Sequence, residues 1–388
     1  MRICQLNPTE SRPIDDAALT RAATLGFDHV LLAGWSVPHN RAESLSAVAA
    51  QCRRYGLGLL LDLSLDRFPQ DAAAHHDGWL DHARPGGAPD ATDHHLPGVR
   101  LRWHDPAVAA AALGWWATQI RDALDTGVSG FCCRAPTRVL GEHWATLLGE
   151  VRRGGAAQGI FLAWTPGSTP QQLDDLAQAP FDGAFSSLPW WDYRSAWLTE
   201  EIARLRRFGR VFAAPSLTPN GLDVLAARRA LWTAAAIGDG LLVPAGFETG
   251  GLPELDDTHD APFDLSHEVM EVNAWINAQR APGAVALRQL SGPDAPLTVL
   301  ARLPRHLANG HEGNGKSDAS GESNAAALTV VLNPCTDSST ASLPPSISER
   351  PWRRCCGRRH TTREWPGANS SWSRAASARF SCSCRWSS

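Results

Sequence analysis

Lysine is nearly missing from this chain of 388 residues: Lys316 is the only one among 36 basic residues, and the rest are arginine. The bias reads as a GC-rich coding sequence and carries no mechanism. Long apolar runs are missing too. None approaches the roughly 18 residues that a bilayer span needs, so no membrane role is expected. The opening MRICQLNPTESRP has no apolar leader core, which leads us to expect a cytoplasmic protein. Charge of one sign is not in excess. The net charge is −4 with 20% charged residues, which argues against nucleic acid or an anionic membrane as partner. Metal-ligand spacing is lacking among the 9 cysteines. Cys132–Cys133 and Cys355–Cys356 are adjacent pairs, not C-x2-C sites. Cys4, Cys52, Cys132 and Cys133 read as small core residues of a reduced protein. We expect no metal and no cofactor.

What the chain has is alternation. Hydrophobic residues make up 43%, ordinary for a globular protein. Short, nearly continuous apolar runs at 2–6, 29–34, 58–65, 130–135, 160–165, 183–188, 210–215 and 239–245 read as parallel strands buried on both faces. Amphipathic stretches separate them at 43–55, 106–126, 142–152, 170–178, 195–208 and 222–236, with another at 266–279 after the last strand. The clearest is 106–126, where Asp105 suits the N-cap, Pro106 the first turn and Gly127 the left-handed stop. Eight such units in about 280 residues predict an α/β fold, a (β/α)8 TIM barrel over 1–285. The alternative is an open Rossmann-like sheet, but no Gly-rich phosphate loop follows the first strand.

Beyond residue 285 the pattern changes. Runs at 297–303 and 327–332 read as strands of a small, truncated β domain over 286–335. Residues 308–325, rich in Gly, Asn, Ser and His, read as a disordered insert. The stretch 336–388 is dense in Ser, Arg, Trp and Cys and shows neither a helix nor a strand period. It reads as a disordered tail, and one explanation is out-of-frame translation of GC-rich DNA.

Four segments carry a family likeness. They are LGFDHVLL at 25–32, LLLDLSLDR at 59–67 followed by His76 and Trp79, GVSGFCCRAP at 127–136, and FSSLPWWDYR at 185–194. In this order and spacing, residues 1–285 resemble the α-amylase superfamily. More narrowly they resemble the bacterial maltosyltransferases that act on α-glucan and maltose 1-phosphate, as an extra amylase-like module ahead of the catalytic barrel. The resemblance implies carbohydrate metabolism, α-glucan or maltooligosaccharide as ligand, and a catalytic maltosyltransferase barrel as a candidate partner.

Retaining cleavage of an α-glucan needs one carboxylate to attack the anomeric carbon and another to protonate the leaving oxygen. By resemblance the nucleophile falls at Arg134, its neighbouring arginine at Cys132, the general acid at Trp164 and the third acid at Asn220 of Thr218–Pro219–Asn220. None of the three acids is kept. A guanidinium ~4 Å from an oxocarbenium-like transition state opposes it by roughly 4 kcal/mol at an effective dielectric near 20. That equals about three powers of ten in rate. The expectation is a degenerate enzyme. Its alternatives are a non-catalytic α-glucan-binding or structural module, and an active enzyme using relocated carboxylates.

Relocated acids would come from Asp62, Asp66, Asp192 or Glu248. Each also has a structural reading: Asp62 and Asp66 bonded within the barrel top or to Arg67, Asp192 capping a helix or paired with Arg194, Glu248 in a solvated loop. Trp190 and Trp191 are candidate sugar platforms. Adjacent residues of an extended segment point to opposite sides, so at most one faces a cleft. His75, His76, His94 and His95 read as solvated loop residues.

Overall fold

The computed structural model describes residues 1–8, 14–36, 42–68, 76–81, 99–153, 159–251, 261–278, 285–304, 328–332, 334, 340–341 and 380–381. Eight parallel strands close into a barrel in chain order, with strand eight pairing back to strand one. The first half runs β1 Arg2–Leu6, α1 Asp16–Thr24, β2 His29–Ser36, α2 Ala42–Arg54, β3 Gly58–Leu63, α3 Pro106–Asp125, β4 Gly130–Cys133 and α4 Gly141–Arg153. The second runs β5 Ile160–Ala163, α5 Pro170–Leu176, β6 Gly183–Phe185, α6 Trp197–Leu205, β7 Arg210–Ala213, α7 Val224–Ile237, β8 Gly240–Pro244 and α8 Ser266–Ala278. This is the expected (β/α)8 barrel, and the open sheet is excluded.

Local chemistry sets the helix ends. The Asp105 carboxylate accepts from the Ala107 and Val108 amides at 3.0 and 3.3 Å, and Gly127 leaves α3 with φ 102°. Sequence reading assigned no helix between the first two strands, yet α1 is there. Asp15 caps it through the Ala18 amide at 2.7 Å. Its buried face is only Leu19 and Ala22, too small for a clear period.

The barrel interior takes one side chain from each strand: Ile3, Leu31, Leu60, Cys132, Leu162, Phe185, Phe212 and Leu242. Phe212 fits because its neighbours on β6 and β8 are glycines. A Cβ on Gly240 would lie 2.4 Å from the ring, and one on Gly183 would lie 2.7 Å from it. Burial pushes the thiol pKa of Cys52 up to about 11 and that of Cys132 to about 12, consistent with packing residues.

After the barrel, β9 Val285–Gln289, β10 Thr298–Pro304 and β11 Leu328–Leu332 form an antiparallel sheet with β10 in the middle. Strand β9 was not foreseen. Arg302 of β10 binds Asp239 at 3.0 Å, and Arg206 holds the same carboxylate at 2.7 Å. The expected insert 308–325 lies outside the described residues, as does most of 336–388. Within the latter, 340–341 pair with 380–381.

Candidate functional site

Strand pleating decides what reaches the carboxyl end of the barrel. Residues two beyond the inward Leu60, Cys132 and Leu162 are Asp62, Arg134 and Trp164, and all three are buried. The Arg134 Nε donates to Asp62 Oδ1 at 2.6 Å. The guanidinium lies 4.3 Å from the centre of the Trp164 ring. The other Asp62 oxygen accepts from the Gly34 amide at 2.9 Å. Gly34 sits where the β2–β3 register slips, with φ 79°, a conformation that presents its N–H to the carboxylate. Trp164 in turn packs on Phe185 at 4.9 Å. These strand ends therefore hold a buried ion pair with an indole against its cation.

This geometry changes one expectation. Arg134 is not a bare cation, because Asp62 neutralises it, so the simple Coulomb penalty overstates its effect on a cationic transition state. Asp62 was given Arg67 as a candidate partner; its partner is Arg134. Asp66 does approach Arg67, at 3.6 Å, but also accepts from Ser64 Oγ at 2.6 Å and lies 3.2 Å from Arg138.

Glu248 overturns its solvated-loop reading. It is buried in the turn after β8, its Oε1 lies 2.6 Å from Arg21 Nε of α1, and Arg21 also reaches Ser266 of α8. The pair ties the first helix to the last. His76 departs from its solvated reading as well: it is half-buried and stacks on Trp79 with ring centres 4.1 Å apart. His75, His94 and His95 lie outside the described residues.

Asp192 neither caps α6, whose N-cap is Ala196, nor pairs with the Arg194 guanidinium. Its carboxylate accepts from the Arg194 and Ser195 amides at 2.9 and 2.8 Å and from the Ser195 hydroxyl. Against the upward pull of burial, these bonds hold its pKa below the ordinary range. Arg194 reaches instead to the Pro293 and Ala295 carbonyls, and the Tyr193 backbone carbonyl accepts from the Thr298 hydroxyl. The 192–195 segment is therefore the seat of the C-terminal sheet.

The two tryptophans divide, though not by the pleating of an extended strand, because Trp190 closes the 3-10 turn Leu188–Trp190 and extended backbone resumes only at Trp191. Trp191 is buried and donates from Nε1 to the Ser195 carbonyl at 2.7 Å; Trp190 is 45% exposed. Asn220 is exposed, and its backbone carbonyl accepts from the Thr218 hydroxyl.

One buried acid escaped the sequence reading. Glu201 of α6 accepts from the amide and the hydroxyl of Ser187, just after β6, and Ser187 Oγ accepts from the Gly167 amide of the β5 loop. Burial pushes its pKa up, against the Ser187 bonds. The signal was in the spacing: Leu198, Ile202 and Leu205 define the inner face of α6, and Glu201 falls on it. Among the described residues, no group of three or more His, Cys, Asp or Glu is placed to hold a metal, and no helix is long and apolar enough to cross a membrane.

Solved structures with this architecture include the acarbose complex of an α-amylase from Geobacillus thermoleovorans. It shares a TM-score of 0.59 and 12% identity, over 89% of each chain. The debranching enzyme of Nostoc punctiforme gives 0.60 at 11% identity, over 88% of this chain and 90% of its own. This is an α-amylase-type barrel. The amylase-type barrel also has a sequence relative, the α-1,4-glucan:maltose-1-phosphate maltosyltransferase of Burkholderia pseudomallei, 36% identical over 344 residues. That match takes in 74% of the present chain and 30% of the relative's length. No family model matches.

Proposed function

We propose that this chain is a catalytically silent α-amylase-type barrel of α-glucan or maltosyl metabolism. The observation that supports it is the Arg134–Asp62 pair beneath Trp164 at the strand ends. Arginine is not a nucleophile in this chemistry. An indole N–H is not an acid at neutral pH. The acid beside them, Asp62, is fully buried with both oxygens engaged. An oxocarbenium ion there would meet no carboxylate free to attack it. Asn220, in the third position, is an amide.

The reading with relocated acids has less support. Asp62 and Asp192 are its candidates, but one is fully buried with both oxygens engaged and the other is held in a local turn. A non-catalytic α-glucan-binding module is favoured by a specific observation, the exposed Trp190. We place the barrel in 1–285, a partial β domain in 286–335 and a tail in 336–388, and the protein in the cytoplasm. The relative's much greater length makes a catalytic maltosyltransferase barrel a fitting partner.

The test is turnover. Purified chain incubated with maltooligosaccharides, with and without maltose 1-phosphate, is expected to release or transfer no maltosyl units. Turnover that Asp62→Ala or Asp192→Ala abolishes would establish the relocated-acid reading instead.

A further inference from the structure

We infer that the groove between α1 and α8, on the outer wall of the barrel, is a docking site for a basic amphipathic helix of a partner protein. The groove has a volume of about 510 Å³. Ala17, Thr20 and Thr24 line it from α1, and Ser266 and Met270 line it from α8. The spacing of 17, 20 and 24 puts these three on one face of α1, and all three are exposed. Their side chains are small, so another helix can come close to that face. Opposite stands Met270, a large apolar side chain left 37% exposed. A thioether on an unbranched stem adapts its shape to a partner. Two ring helices with small side chains on one wall and a methionine on the other fit the apolar face of a third helix.

The charge around the groove selects the kind of helix. Residues 14–25 and 261–278 carry five carboxylates and one arginine. That arginine, Arg21, is spent within the protein: its Nε lies 2.6 Å from Glu248 and its Nη2 donates to the Ser266 hydroxyl. Glu268 is likewise spent on Arg228. Asp16, in the groove wall, meets Arg54 at 3.4 Å, but both side chains are largely exposed, so the pair is weak. Asp264 accepts from the Ser266 amide and Glu271 faces His267 at 3.8 Å. Among the described residues neither has an arginine at ion-pair distance.

The surround is therefore acidic, while the lining is mostly apolar. Nucleic acid, an anionic lipid surface or an acidic peptide would meet like charge there. A helix with leucines on one face and lysines or arginines beside them meets both features: its apolar face fills the groove and its cations reach Asp16, Asp264 and Glu271. The groove is formed by helices of the outer ring and takes no part in the chemistry at the strand ends, so this site stands or falls apart from the silent-barrel reading.

Fluorescence anisotropy of the full chain tests the inference. The probe is a labelled peptide of about four helical turns, with leucine on one face and lysine on the other. At roughly 0.15 M salt it is expected to bind saturably. Met270→Lys on one wall, and Thr20→Lys on the other, are each expected to weaken binding about tenfold or more. Leu140→Lys, which changes an exposed leucine ahead of α4, is expected to leave it unchanged. A peptide of the same composition with its leucines scattered, and one with glutamate for lysine, are expected not to bind. Absence of saturable binding, equal affinity for the scattered peptide, or equal affinity of the wild type and both lysine variants overturns the inference. So does sedimentation in which the wild type dimerises and Met270→Lys does not, which assigns the groove to a second copy of the chain.

Discussion

Removing one half of the Arg134–Asp62 pair leaves the other as a buried charge with its main partner gone. Asp62→Ala is expected to cost roughly 3–5 kcal/mol in denaturant unfolding, and the double change Arg134→Met with Asp62→Leu to recover most of that. Next to Arg134, Ala135 stands at φ 43°, a left-handed conformation that strains a side chain. Ala135→Gly is therefore expected to stabilise by about 1 kcal/mol. Glu201 gives a pH signature. Its folded pKa is raised, so the folded chain keeps a proton that the unfolded chain has lost. That contribution is complete below the ordinary glutamate value and fades as pH rises through the folded value. Glu201→Gln should thus gain stability relative to wild type as pH rises from about 4 toward 7, read from paired denaturation curves. The family resemblance, and not the strand period, singled out Arg134 and Trp164, and the structure places both just past the ends of β4 and β5. The Asp62 partner was not legible: Arg134 is 72 residues away in sequence, while Arg67 is close by.

At the scale of elements, the eight strands could be read from apolar runs because both faces of each are buried. In β4 to β7 the strands end two or three residues before the runs do, where the chain turns over the barrel rim. Helix α1 and strand β9 were missed for a common reason, a short element with few buried side chains. The glycines of β6 and β8 carry information that composition hides. Gly240→Ala is expected to cost about 1–3 kcal/mol by overpacking against Phe212. The C-terminal sheet is held to the barrel by Arg302 on Asp239, with further bonds to the Ala236 and Gly238 carbonyls. Arg302→Ala should speed amide exchange in β9 to β11 while the barrel strands keep their protection, since Arg206 still holds Asp239.

For the whole molecule, fold and chemistry separate. The barrel depends on a layer of apolar side chains and on glycines that admit them, and none of these needs the acids of an amylase. The architecture of an α-amylase-type barrel is therefore compatible with a cation and an indole at these strand ends. The most direct measurement is intact-mass spectrometry after incubation with an activated, 2-fluorinated maltosyl donor, which leaves a glycosyl ester on any competent retaining nucleophile. The account predicts an unchanged mass; a gain of one fluoromaltosyl unit, mapped to a carboxylate such as Asp62 or Asp192, would contradict it.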